Sequence, residues 1–121
     1  MAPPPRIAIT IDCPDPGRSA AFWASFLGYE QLDDGGDGPY VTITKPTGVD
    51  GVSHLTFQEV PEAKVGKARA HLDLFVDHAF PMVDEMVAAG ATLLSTTEAG
   101  EWTTRILQDP AGHEFCVIGP D

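Results

Sequence analysis

The chain passes through one order of elements twice, and that repetition limits what it can fold into. In the first pass Ile7, Ile9 and Ile11 alternate with Ala8, Thr10 and Asp12, the pattern of a half-buried strand. The stretch "DPGRSAAFWASFLG" follows. Asp15 suits a helix N-cap, Pro16 the first helical position and Gly28 a left-handed stop. Phe22, Trp23, Phe26 and Leu27 recur at helical spacing. A turn-rich loop at 33–39 leads to the strand "YVTIT", the turn "KPTGVDG" and the strand "VSHLTFQEV".

The second pass repeats this order. "AHLDLFV" reads as a strand, and "PMVDEMVAAGA" as a helix with Pro81 in its first turn and Gly90 as its stop. Val83, Met86 and Val87 are expected to face inward. "ATLLSTT", "EWTTRILQD" and "HEFCVIG" read as strands, with "DPAG" turning between the last two. Setting Ala8 beneath His71 brings Thr10 under Asp73, Ile11 under Leu74 and Cys13 under Val76. Gly28 falls under Gly90 with a slip of one residue. A period of roughly sixty residues is far longer than a solenoid repeat. The expectation is therefore α+β: two βαβββ modules, each a one-sided sheet covered by a helix.

At 121 residues the chain has room for one domain built from two halves. The expected organisation is a single domain over 1–121, with a first module at about 6–60, a polar connector at 61–69 and a second module at about 70–119. A formal net charge of −11 argues against nucleic acid or an anionic membrane as partner, since phosphates would be repelled. No apolar run approaches spanning length, and "MAPPPR" lacks the hydrophobic core of a signal peptide, so a cytoplasmic protein is expected. Two cysteines, Cys13 and Cys116, do not make a disulfide framework. Gly-rich phosphate loops, "CxxC", "HExxH" and "GxSxG" are all missing.

The chemistry-bearing feature is "RAHLDLFVDH" at 69–78. Leu72, Leu74 and Val76 form one apolar face, while His71, Asp73 and then Phe75 occupy the other. That second face either looks into water or lines a pocket. Asp73 leaves it about 7 Å along from His71, where it can serve as a general base, orient the imidazole, or pair with Arg69 or Arg105. Cys116 reads most simply as a small apolar residue. Trp102 and Tyr40 are rim candidates, able to stack on a planar ligand or simply to pack.

Taken together, "DPGRSAAFWASFLGYE", "HLDLFVD" and "DPAGHEFCVI", in order and at their spacing, resemble the vicinal oxygen chelate superfamily, the glyoxalase, bleomycin-resistance and extradiol dioxygenase group, and within it a glyoxalase-like branch. The resemblance spans Ile7 to Ile118. It implies two modules whose mixed sheets form a cup with the helices outside, often completed by a homodimer. In metal-dependent members, the first and last strands of each module supply His or Glu ligands. Carried over, those positions fall on Ala8, approximately Gln58, His71 and Cys116. Only His71 keeps a usual ligand type. Ala8 offers no donor, Gln58 a carbonyl oxygen, and Cys116 a thiolate that favours a softer ion such as zinc.

The expected function is binding or sequestration of a small organic compound, cationic or aromatic, without a resident cofactor. Thr10, Gln58, His71, Asp73, Trp102 and Cys116 are the expected ligand contacts. The alternative is an enzyme of the glyoxalase, lyase, isomerase or dioxygenase type. It would use a divalent metal held by His71 with Gln58 or Cys116, or metal-free acid–base chemistry by His71 and Asp73.

Overall fold

Alternation along the strands decides which side of each sheet is covered. In the computed structural model, which describes residues 5–32 and 38–121, the chain divides into two compact units, Met1–Ala63 and Lys64–Asp121. The loop expected at 33–39 lies largely outside the described residues.

The first unit contains β1 (Ala8–Cys13), α1 (Pro16–Leu27), β2 (Glu30–Gln31), β3 (Tyr40–Thr44) and β4 (His54–Glu59). Its strands lie in the order β1-β4-β3-β2, with β1 parallel to β4 and the other pairs antiparallel. Ile11, Cys13, Val41, Ile43, Leu55 and Phe57 turn to one side and are buried. Against β3 and β4 on that side packs α1, burying Ala20, Phe22 and Trp23. Full burial stabilises each large apolar side chain by about 1.5–3 kcal/mol. Phe22 and Trp23 meet edge to face at 5.4 Å. Phe26 and Leu27, expected in the same stripe, are only half-buried. The helix ends are as the sequence indicates. An Asp15 carboxylate oxygen accepts from the Arg18 amide at 3.2 Å, and Gly28 closes the helix at φ 68°. β2 is a two-residue strand that carries no apolar alternation and is not visible in the sequence pattern.

The second unit repeats the plan with β5 (Leu72–Phe75), α2 (Ala79–Ala88), β6 (Thr92–Ala99), β7 (Trp102–Gln108) and β8 (Glu114–Gly119). The order is β5-β8-β7-β6, again with the first and last strands parallel and the remaining pairs antiparallel. Leu107, Phe115 and Val117 form the buried side of the sheet, and α2 contributes Ala79, Val83 and Met86 to the core. Two expectations need correction here. The helix begins two residues before Pro81, which still falls among the first four residues, whose amides have no helical partner. Val87 is exposed rather than inward, because the buried stripe runs through Ala79, Val83 and Met86 and leaves it on the flank.

Arg105 alternates with Thr103 and Leu107 on the buried side of β7. Its guanidinium makes a two-pronged pair with Asp121 at 2.6 and 3.0 Å and lies over the Phe80 ring. That pair raises the guanidinium's proton affinity and holds the Asp121 carboxyl below its usual range. Arg105 is thus engaged away from Asp73, and a bridge between those two is corrected. β6, at the edge, is exposed at all eight positions, with a bulge at Leu94. Among the described residues no helix is long and apolar enough to cross a membrane.

Candidate functional site

The side of the second sheet opposite its buried core carries the residues singled out by the sequence. His71 immediately precedes β5, and Asp73 and Phe75 follow on alternate positions. The parallel register sets Asp73 beside Cys116 and Phe75 beside Ile118. β7 runs back along β8 and sets Ile106 beside Cys116, Thr104 beside Ile118 and Gln108 beside Glu114. Four layers result along one face. Glu114 and Gln108, with His71 just ahead of β5, lie at one end; Asp73, Cys116 and Ile106 come next; Phe75, Ile118 and Thr104 follow; Trp102 closes the far end.

The polar end of this face is internally paired. His71 Nε2 lies 3.1 Å from an Asp73 carboxylate oxygen, and the two side chains are 48% and 45% exposed. Cys116 is only 9% exposed. Burial, followed by the adjacent Asp73 carboxylate to which the thiol donates, pushes its pKa up, against a smaller opposing pull from Lys67. The ligand atoms of His71, Asp73 and Cys116 all lie within 4.8 Å of one another. At one end Glu114 accepts from the Lys64 ammonium at 2.8 Å and the Ala68 amide at 3.1 Å. These contacts tie the segment leading into β5 down, and they hold the Glu114 carboxyl at a pKa of about 2, the Lys64 hydrogen bond being the main cause.

The other end is aromatic. Phe75 and Trp102 meet at 6.2 Å with their rings inclined by 63°, and both are exposed, 68% and 49%. Trp102 was expected at the rim. Its partner Phe75 carried a readable signal, since it shares the alternation of His71 and Asp73.

The corresponding face of the first unit is different in character. Thr10 pairs in register with Thr56, and Thr56 with Thr42, whose hydroxyls share a 2.9 Å hydrogen bond. Thr56 therefore occupies the register that Cys116 holds in the second unit. Gln58 lies two residues further, opposite Asp12 and Tyr40. Ala8 stands opposite His54, whose Nδ1 is the one buried side-chain nitrogen or oxygen among the described residues without a hydrogen-bond partner. Tyr40 is exposed at the start of β3. Thr42 and Thr56 escaped the sequence reading because only the strand register brings them beside Thr10.

Two four-stranded mixed sheets of identical strand order, each with one helix, define the class as vicinal oxygen chelate proteins. The chain belongs to the glyoxalase-like domain family, whose model matches residues 8–118. Solved structures share the fold. One is a glyoxalase/bleomycin resistance protein/dioxygenase family enzyme from Burkholderia phytofirmans, at 19% identity and TM-score 0.73, covering 94% of this chain and 97% of that one. Another is the fosfomycin resistance protein FosX from Listeria monocytogenes, at 13% identity and TM-score 0.74, covering 99% and 96%. A mutant of FosX was solved with Mn(II) and 1S,2S-dihydroxypropylphosphonic acid. A third is lactoylglutathione lyase from Agrobacterium tumefaciens, at 16% identity and TM-score 0.63, covering 98% and 96%. No curated protein matches the chain in sequence.

Proposed function

We propose that the exposed face of the second sheet binds a small planar organic compound, with a preference for a cation. The observation that carries this is the adjacency of an exposed aromatic pair, Phe75 and Trp102, to an exposed acid–imidazole pair, Asp73 and His71, on one side of one sheet. The ring faces offer stacking and cation–π attraction, worth about 0.5–1 kcal/mol at an exposed site. The carboxylate supplies a fixed counter-charge within the same face. A net charge of −11 adds a long-range field of the same sense.

The chain carries its own reporter. Trp23 is 1% exposed and Trp102 49%, so an external quencher acts on Trp102. Titration with a planar aromatic cation such as N-methylacridinium is expected to quench saturably. Trp102→Phe should remove the quenching, Asp73→Asn should weaken binding about tenfold, and a neutral isostere should bind less well. Quenching that is unsaturable, or that persists in Trp102→Phe, defeats the proposal.

A second reading, catalysis at the same face, is supported by the 3.1 Å His71–Asp73 pair. There the carboxylate would hold the imidazole in one tautomer for proton transfer. Turnover that His71→Gln abolishes, with N-methylacridinium affinity nearly unchanged, would favour it over sequestration.

A further inference from the structure

The resemblance implies a metal site that draws one ligand from the first and last strand of each module, and in the first module two of those positions hold no strong donor. Ala8 has none, and Thr56 stands where the register repeats Cys116. The second unit instead brings a nitrogen, an oxygen and a sulfur ligand together by itself. Asp73, which the resemblance does not assign as a ligand, completes the set.

From this grouping we infer that His71, Asp73 and Cys116 form a three-ligand site for a thiophilic divalent cation, zinc foremost, built entirely from β5, its leading residue and β8. The inference rests on the proposed reading of this face as a binding face and specifies its polar end.

Three features carry it. All three ligand atoms lie within 4.8 Å of one another, close enough for modest side-chain rotation to aim them at one centre. The donor set is an imidazole, a carboxylate and a thiol, the mixed borderline and soft set that selects zinc over magnesium or calcium. The burial is graded: Cys116 sits at the base, while His71 and Asp73 stand half-exposed above it. Such a site has a closed floor and an open side. Three protein ligands with an open fourth position is the arrangement of catalytic zinc, whereas structural zinc takes four. When bound, such an ion supplies Lewis acidity to a ligand oxygen or water at its open position. His71, Asp73 and Cys116 would hold the ion, and Phe75 and Trp102 lie further along the same face.

Cobalt(II) is the probe, since a thiolate bound to it gives a near-ultraviolet charge-transfer band. Full-length metal-free protein titrated with Co(II) is expected to develop that band and saturate at one ion per chain. Zn(II) should displace the band at equimolar concentration, whereas Mg(II) in large excess should not. Cys116→Ser is expected to abolish the band and Cys13→Ser to leave it intact. Asp73→Asn and His71→Ala, both at half-exposed positions, should each weaken Co(II) at least tenfold. The inference is overturned if no band appears, if the band survives Cys116→Ser, or if it is lost in Cys13→Ser. Should Cys116→Ser fail to fold, unchanged Co(II) affinity in both Asp73→Asn and His71→Ala overturns it equally. The Trp102 quenching experiment, run on chelator-treated protein, separates the two proposals. Quenching without a cobalt band leaves the binding face standing and removes the metal, and a band without quenching does the reverse.

Discussion

At the scale of single residues, the most strongly perturbed carboxyl is Glu114, held at about pKa 2 by Lys64 and the Ala68 amide. Its folded value is below its unfolded one, near 4.5, so the stability it contributes is present above pH 4.5 and disappears as pH falls towards 2. Melting temperatures of wild type and Glu114→Gln should therefore differ at pH 7 and converge across that interval; parallel curves would show that the pair contributes nothing. Cys116 is perturbed the other way. Burial and Asp73 keep it a thiol at neutral pH, so it should react with alkylating reagents far more slowly than a free cysteine does. Asp73→Asn should speed that reaction, as read by mass spectrometry. The sequence announced His71 and Asp73 plainly, because an imidazole and a carboxylate on an apolar strand break its pattern. Cys116 was grouped with them only through the family resemblance, since the parallel pairing that joins residues 73 and 116 leaves no local mark in the sequence.

At the scale of elements, helix signals were the most legible. Asp15, Pro16 and Gly28 bracket α1 because capping chemistry is local to the chain. Replacing Asp15 with Ala should cost about 1 kcal/mol in denaturant unfolding, through loss of the bond to the Arg18 amide. Met86→Ala, at a fully buried position of α2, should cost about 2–5 kcal/mol. Elements whose form depends on distant partners were harder to read. β5 is shorter than its alternation suggested, and β2 has no pattern at all. Gly119 is a further case. A Cβ at that position of β8 would overlap the Val76 carbonyl where the chain leaves β5. Gly119→Ala should thus destabilise by about 1–3 kcal/mol in chemical denaturation, by forcing backbone apart.

At the scale of the whole molecule, charge is the property that acts at a distance. With eighteen acidic side chains against seven basic ones, the chain should attract cationic ligands ahead of contact. The association rate of N-methylacridinium in stopped-flow should fall as ionic strength rises, and that of a neutral isostere should stay nearly flat. The duplication was legible because both halves carry the same order of periodicities. What sets their exposed faces apart was legible only in part: aligning the halves already put Ala8 and Thr10 against His71 and Asp73, whereas Thr42, Thr56 and Cys116 join them only through the strand register.

The parallel pairing of opening and closing strands also bears on how the protein is made. β1 finds its neighbour only when β4 has emerged from the ribosome, and β5 must wait in the same way for β8. Until then each nascent half carries an unzipped flank, and contacts this distant in sequence are slow to form. Neither half can complete its sheet before its final segment is available, so a chain cut short ahead of β4 or β8 would leave β1 or β5 without its neighbour.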